Sequence, residues 1–366
     1  MIRWDDDHTD VVLNPRLGAT DLADVRRLIA ACPNLPAHIW LTTSGATGRL
    51  KPVALAKQAL LAAADAVNQH LETQADDVWC RPLPLFHAGG LSIHARAFRS
   101  GSQVFALEKW DVFTFHNMLA DEAVTLTSLV PTQLRDLIHH RLTPPPFLRA
   151  ALLGGGATPP DLWSDARALA WPILPTYGTT ETAAAVAIAA VDDLSSSAPP
   201  RLRVLPHVEA RATDDGRLAF RTAALLTGYA TESGLHDPKQ YGWWTSDDLG
   251  AVADGGLTVH GRADDVVKIG GESVAVAALQ ERLDSLARTT GVADAVLVAV
   301  PDERLGAVLL LAVVGSRGDA ETLRARYDEA VLPFERVREL VVVKEIARTA
   351  LGKVRREELL RATGRI

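Results

Sequence analysis

The stretch LTTSGATGRLKP, Leu41 to Pro52, places Thr42, Thr43, Ser44, Gly45, Thr47, Gly48 and Lys51 within ten positions. Such a loop suits phosphate. Gly45 and Gly48 let backbone N–H groups approach an anion without Cβ interference, the hydroxyls donate further hydrogen bonds, and Lys51 adds a mobile positive charge. The P-loop of nucleotide kinases is excluded by spacing: Arg49 and Leu50 separate Gly48 from Lys51, and Pro52 stands where that motif needs Ser or Thr. Taken alone, the stretch also reads as a polar surface loop.

Two further clusters follow segments that read as buried strands. Ala150–Leu153 ends in Gly154, Gly155 and Gly156, and Ile173–Pro175 runs into Tyr177, Gly178, Thr179, Thr180 and Glu181. In parallel α/β sheets ligands gather outside the carboxyl ends of strands, so both turns are candidates by position. A tight turn explains the triple glycine equally well. His87 is delivered by an extended segment, Val78–Phe86, into a turn containing Gly89 and Gly90. Near the end, Arg348–Lys353 leads into a basic helix start, Arg355-Arg356. A solvated helix face is the plain reading of that cluster, while Gly352 favours a presented Lys353 side chain.

The elements that must position these groups follow from periodicity. Leu60, Leu61, Ala64, Val67 and Leu71 recur at helical intervals from Lys57 to Gln74. A helix is expected over 91–99, a strand over 103–107, a strand over 125–130 and a helix from Pro131. This alternation predicts an α/β fold for a large N-terminal domain. From Leu194 a smaller β-rich subdomain is predicted, with hairpins at Asp214-Asp215-Gly216 and Asp254-Gly255-Gly256. Helix 275–288, strands 295–300 and 308–314, helix 320–330, strand 339–343 and helix 353–362 then form an α+β pattern. The expected domains are therefore 1–263 and 264–366.

Composition bounds the class. The 366 residues are 48% hydrophobic and 23% charged, with a net charge of −7, so no basic surface advertises nucleic acid or anionic membrane as a partner. Only Cys32 and Cys80 are present, which suggests neither a disulfide framework nor a zinc knuckle and fits a cytoplasmic setting. No secretory signal or membrane-spanning run is read. Asp5, Asp6 and Asp7 read as a solvated tail.

Taken in order, TSGATGRLK, LPLFHAGGL, LLGGG, YGTTE, TSDDLG, GRADD and TALGK resemble the signature series of the adenylate-forming superfamily: acyl- and aryl-CoA ligases, adenylation domains and luciferases. The resemblance runs from about Leu41 to the C-terminus. Within it, FHAGGLSIHAR, LTSLVPTQL, LLGGGATPP and the GGE at Gly270 to Glu272 are similar to o-succinylbenzoate–CoA ligases of menaquinone or phylloquinone biosynthesis.

The resemblance implies a large α/β domain, a small mobile C-terminal domain and a two-step reaction. A carboxylate attacks the α-phosphate of ATP to give an acyl-adenylate, and the thiol of coenzyme A then displaces AMP. Two anions must be brought together, so charge must be neutralised. By resemblance, Thr43, Ser44, Gly45, Thr47, Gly48 and Lys51 hold the β- and γ-phosphates. Thr180 meets the α-phosphate and Glu181 meets Mg²⁺, a hard ion suited to carboxylate. Gly154, Gly155, Gly156, Tyr177, Gly178 and Thr179 wall adenine and the acyl group. Asp248 accepts the ribose hydroxyls and Arg262 assists. Lys353 is the implied catalytic lysine and Asp264 the hinge, with a pantetheine tunnel near Gly270-Gly271. His87, Ser92, Arg96 and Gly155 are assigned to the acyl substrate, His87 beside its carboxylate. For o-succinylbenzoate the carboxylate that does not react needs a cationic or hydrogen-bonding partner, and Arg96 and then Arg135 are the candidates.

The sequence departs from the family pattern at Leu50, where proline is usual, and at Ala46, where a hydroxyl is usual. Only about forty residues precede the first motif, so a truncated large domain is expected. A homodimer would cover the sheet surface this leaves bare. Another acyl- or aryl-CoA ligase, a carrier-loading adenylation module and a non-catalytic acyl-adenylate-binding protein remain as rivals.

Overall fold

The computed structural model describes residues 2–44, 50–156, 158, 160–195, 200–263, 266–269, 272–302, 304–349 and 354–364. It divides into two compact units. The first comprises Met1–Thr213, Leu218–Thr245 and Ala251–Thr258; the second comprises Asp214–Arg217, Ser246–Gly250 and Val259–Ile366. The expected boundary at Asp264 lies outside the described residues.

The first unit opens with strand β1 (Asp10–Val11), helix α1 (Ala19–Ala30) and strands β2 (His38–Ser44) and β3 (Leu50–Ala56). β1 lies parallel to β2, and β2 pairs antiparallel with β3 from His38↔Ala56 to Ser44↔Leu50. The predicted Leu41–Pro52 loop is thus mostly hairpin. Ile39, Leu41, Val53 and Leu55 are buried from both strands, so apolar alternation outside the glycine motif sets the pairing.

Helix α2 (Lys57–Leu71) buries Leu60, Ala63, Ala64, Val67 and Leu71 and ends at Glu72 in the left-handed region. Each large apolar side chain so buried contributes about 1.5–3 kcal/mol. Lys57, at its first position, is 1% exposed. Its Nζ donates to Asp6 Oδ1 at 2.7 Å and to the Asp6 carbonyl at 3.2 Å, so Asp6 is no solvated tail residue. A buried ammonium requires such partners, and they come from a segment about fifty residues away in the chain.

The main sheet follows: β4 (Val78–Arg81), α3 (Ala88–Ser100), β5 (Gln103–Ala106), α4 (Val112–Asp121), β6 (Leu126–Leu129), α5 (Pro131–His139), β7 (Ala150–Leu153), α6 (Pro160–Ala168), β8 (Ile173–Thr179) and β9 (Ala184–Ala189). The strand order β5-β4-β6-β7-β8 is parallel throughout, and β9 pairs antiparallel with β8. All four residues of β6 and of β7 are buried, as expected for a sheet covered on both faces. The predicted hairpin at 214–216 joins Glu209–Ala212 to Arg217–Arg221, and that at 254–256 joins Trp244–Ala253 to Gly256–Arg262.

In the second unit, Val266–Ile269 and Glu272–Ala275 form an antiparallel pair that the sequence reading did not foresee. Asp294–Asp302 pairs antiparallel with Gly306–Val314, which lies parallel to Val337–Val342. Leu309, Leu311 and Val313 face a cluster with Leu279, Leu283, Leu323 and Tyr327. Val308, Leu310 and Ala312 face the opposite cluster with Ile346 and Leu359. Strict alternation with both faces apolar is why this segment reads as a continuous hydrophobic run. The mixed α/β large domain and α+β small domain agree with the expectation.

Candidate active site

Register puts Lys51 opposite Thr43 and Leu50 opposite Ser44, so the three predicted phosphate contacts on the strands, Thr43, Ser44 and Lys51, flank residues 45–49. Gly45, Thr47 and Gly48 lie outside the described residues. Strand Gly228–Thr231 pairs with β3, setting Tyr229 beside Val53. The Lys51 Nζ stands 5.9 Å from the centroid of the Tyr229 ring. The Tyr229 hydroxyl donates to Glu181 Oε1 at 3.1 Å, so the hairpin and the Thr-Glu motif are joined through one phenol.

Tyr177, Gly178 and Thr179 were expected in a turn, but β8 carries all three in extended conformation against β9. The turn is the short 3-10 segment Thr180–Thr182. Gly178 is required there, because a Cβ would lie 1.7 Å from the Ala184 carbonyl oxygen. Thr182 closes the turn: its Oγ1 accepts from the Thr179 N–H at 3.0 Å and donates to the Ala184 carbonyl at 2.8 Å. Ala183 and Ala184 follow at φ 53° and 98°, conformations that favour glycine. The Leu226 N–H donates to the Glu181 carbonyl at 2.7 Å, and Glu181 is only 9% exposed. Thr179 Oγ1 is buried without a hydrogen-bond partner. An orphaned hydroxyl beside a buried carboxylate fits a phosphate and its counter-ion.

Gly154 to Gly156 occupy the space between two neighbours. A Cβ on Gly154 would meet Thr176 Oγ1 at 2.5 Å, and Gly155, at φ +80°, lies 3.2 Å from Val130 Cγ1 by the same test. The Thr176 hydroxyl donates to the Leu153 carbonyl at 3.2 Å, tying β8 to the exit of β7. The glycine run therefore sits at the carboxyl ends of adjacent strands, beside the β6–α5 junction.

His87 caps α3 rather than sitting in a loop. The helix starts at Ala88 and takes in Gly89 and Gly90, correcting the expected start near Leu91. Gly90 makes this fold possible, since a Cβ would fall 2.2 Å from the Pro84 carbonyl oxygen. The His87 ring packs on Phe86 with centroids 4.6 Å apart, and its carbonyl accepts from the Gly90 and Leu91 N–H groups. Ser92 is buried, with its hydroxyl donated to the Gly89 carbonyl at 3.0 Å, inside its own helix.

Arg96 is 3% exposed. Its Nη1 lies 3.4 Å from Ser128 Oγ on β6, its guanidinium stands 5.4 Å from the Trp79 ring centroid, and Nε has no partner. No carboxylate pairs with it among the described residues. Desolvation pushes its pKa down to about 10, so the group stays cationic at neutral pH. Arg135 is exposed on α5.

In the second unit, Arg262 Nη1 lies 3.5 Å from Asp248 Oδ1, while Asp247 pairs with Arg217 at 2.8 Å. The Asp248 side chain is 14% exposed and that of Asp247 51%. Asp248 N–H donates to Ser246 Oγ at 3.1 Å. Asp264, Gly270, Gly271 and Lys353 lie outside the described residues. Tyr229, Thr182, Thr176 and Trp79 were not singled out from sequence, since nothing local distinguishes them from core residues. Among the described residues no cluster of three or more His, Cys, Asp or Glu could hold a metal on its own, so an ion at Glu181 would depend on phosphate oxygens as well. No helix of the described residues is long and apolar enough to cross a membrane.

The profile of the AMP-binding enzyme family matches residues 14–229, and that of the AMP-binding enzyme C-terminal domain matches residues 284–353. The 2-succinylbenzoate–CoA ligase of Bacillus cereus is 30% identical over 332 residues, which span 87% of this chain and 68% of that protein. The ligase of the same description from Oceanobacillus iheyensis is 29% identical over 334 residues, with the same coverage. Among solved structures, the o-succinylbenzoate CoA synthetase of Bacillus subtilis in complex with its acyl-adenylate intermediate superposes with a TM-score of 0.77 at 26% identity, covering 88% of this chain and 68% of that one. The same synthetase with ATP and magnesium ion gives 0.75 at 25% identity, with 88% and 69% covered. The matched part of the chain spans about two thirds of the length of these relatives. It belongs to the AMP-binding enzyme family.

Proposed function

We propose that this chain joins o-succinylbenzoate to coenzyme A in an ATP-dependent reaction that passes through an acyl-adenylate. The likeness to ligases of that description, and to a synthetase holding its acyl-adenylate, supports the reaction class. The observation that carries the substrate is Arg96: a buried guanidinium against Ser128, with no carboxylate partner among the described residues, suits the second carboxylate of a dianionic acid. Exposed Arg135 suits it less.

Within this reading, Thr43, Ser44 and Lys51 on the hairpin, with Gly45, Thr47 and Gly48, hold the outer phosphates. Thr179 and Thr180 contact the α-phosphate. Glu181, fixed by Tyr229 and by the Leu226 N–H, offers carboxylate oxygen to Mg²⁺, which when bound neutralises phosphate charge. Gly154, Gly155, Gly156, Tyr177 and Gly178 line adenine and the acyl group, with His87 and Ser92 on the acyl side. Asp248, held by Arg262, accepts the ribose hydroxyls. Lys353 stabilises charge as the carboxylate attacks, and the small domain, taken as 264–366, turns about Asp264 to admit the coenzyme A thiol. A cytoplasmic location and a homodimer belong to the same proposal.

The test is coenzyme A-dependent AMP release with o-succinylbenzoate, ATP and Mg²⁺, set beside benzoate and a medium-chain fatty acid. Strong preference for o-succinylbenzoate is expected. Turnover with another acid alone would discard the substrate but keep the reaction, and turnover with none would overturn the enzymatic reading.

A further inference from the structure

The Trp79 ring is wholly buried on β4 and lies under the Arg96 guanidinium at 5.4 Å. Among the described residues that guanidinium makes one long hydrogen bond, to Ser128 Oγ at 3.4 Å, and both Arg96 Nε and Trp79 Nε1 are buried without partners. A desolvated cation with so little hydrogen bonding is normally neutralised by a carboxylate, yet none pairs with it among the described residues. The quadrupole of an indole face supplies attraction to a cation without discharging it. The backbone of Arg96 is fixed independently, since its carbonyl accepts from Asn68 Nδ2 at 2.9 Å and from the Ser100 hydroxyl at 3.0 Å. What remains to be held is the head group, and the ring does that.

We infer that Trp79 is a positioning residue for substrate selection: its indole face holds the Arg96 guanidinium unpaired and aimed past Ser128, so that a second carboxylate on the acid completes the ion pair. The inference rests on the assignment of Arg96 to the non-reacting carboxylate. A protein carboxylate in place of the indole would have closed the site to anions; an aliphatic residue would have left the guanidinium free to turn.

The test compares Trp79→Met, which keeps bulk without a π face, and Trp79→Phe, which keeps a π face, using o-succinylbenzoate and benzoate as paired substrates. Trp79→Met is expected to raise the o-succinylbenzoate KM roughly 2- to 30-fold, the span from an exposed to a desolvated cation–π contact, with kcat and the benzoate KM little changed. Trp79→Phe should recover most of the loss. Trp79→Phe keeps a weaker π face, and its small residual rise in the o-succinylbenzoate KM should disappear in an Arg96→Gln background, which keeps the inference testable if Trp79→Met does not fold. Equal effects on both acids, or a Trp79→Phe effect that persists without Arg96, would overturn the positioning role alone. An Arg96→Gln enzyme with the parental o-succinylbenzoate KM would instead overturn the assignment of Arg96, and the inference with it.

Discussion

The Tyr229 hydroxyl donates to Glu181 Oε1 at 3.1 Å, while the same ring lies below Lys51 Nζ at 5.9 Å. One side chain therefore contacts both the carboxylate proposed for Mg²⁺ and the ammonium proposed for phosphate. Of these two contacts, Tyr229→Phe deletes the first and keeps the second. A hydrogen bond to a charged group is worth about 1.5–3 kcal/mol, so the KM for MgATP should rise on the order of tenfold. Steady-state kinetics with a Mg²⁺ titration, and calorimetric ATP binding with and without Mg²⁺, would measure it. An unchanged KM and Mg²⁺ response would sever the link.

Gly178 admits no side chain, with a would-be Cβ 1.7 Å from the Ala184 carbonyl oxygen. Since the obstacle is backbone, Gly178→Ala should destabilise the fold by about 2–3 kcal/mol or more. Urea unfolding should show a lower midpoint at unchanged slope. A parental midpoint would mean that β8 and β9 separate at little cost.

Removing one charge-stabilising contact from a transition state typically costs about 100- to 1,000-fold in rate, so Lys353→Ala should slow adenylation by at least that much. Single-turnover pyrophosphate release isolates that step, while acyl transfer from supplied acyl-adenylate should persist. Parental adenylation would refute the role given to Lys353.

The N-terminal clamp has a pH signature. The hydrogen bond from Lys57 is the main cause holding the Asp6 carboxyl below its ordinary 3.8. A depressed folded-state pKa adds stability that is present above the unfolded value and lost as pH falls through the folded one. Asp6→Asn should lower the melting temperature at pH 7 and show a shallower loss of stability on acidification below pH about 4. Parallel melting-temperature curves for the two proteins would remove Asp6 from the clamp.

The motifs were legible where local chemistry and tertiary role coincide. Buried runs such as Leu126–Leu129 and Ala150–Leu153 read correctly as parallel strands, and the alternation in Gly306–Val314 marks a sheet with two apolar faces. The hairpin around Lys51 was hidden because glycines, hydroxyls and Pro52 signal a loop, whereas pairing on both sides extends the strands. The α3 start was misplaced because a double glycine ordinarily breaks a helix; here Gly90 is needed for contact with the Pro84 carbonyl. Lys57, Trp79 and Tyr229 escaped notice because their partners Asp6, Arg96 and Glu181 are remote in sequence.

Ala184, at φ 98°, occupies backbone space that glycine would enter at less cost, directly beside the threonine-glutamate turn. Random libraries selected for survival on heating should therefore enrich glycine at 184 over every residue that carries a Cβ. The turn would then mark a codon whose preferred occupant is dictated by backbone geometry, with no contribution from side-chain contacts.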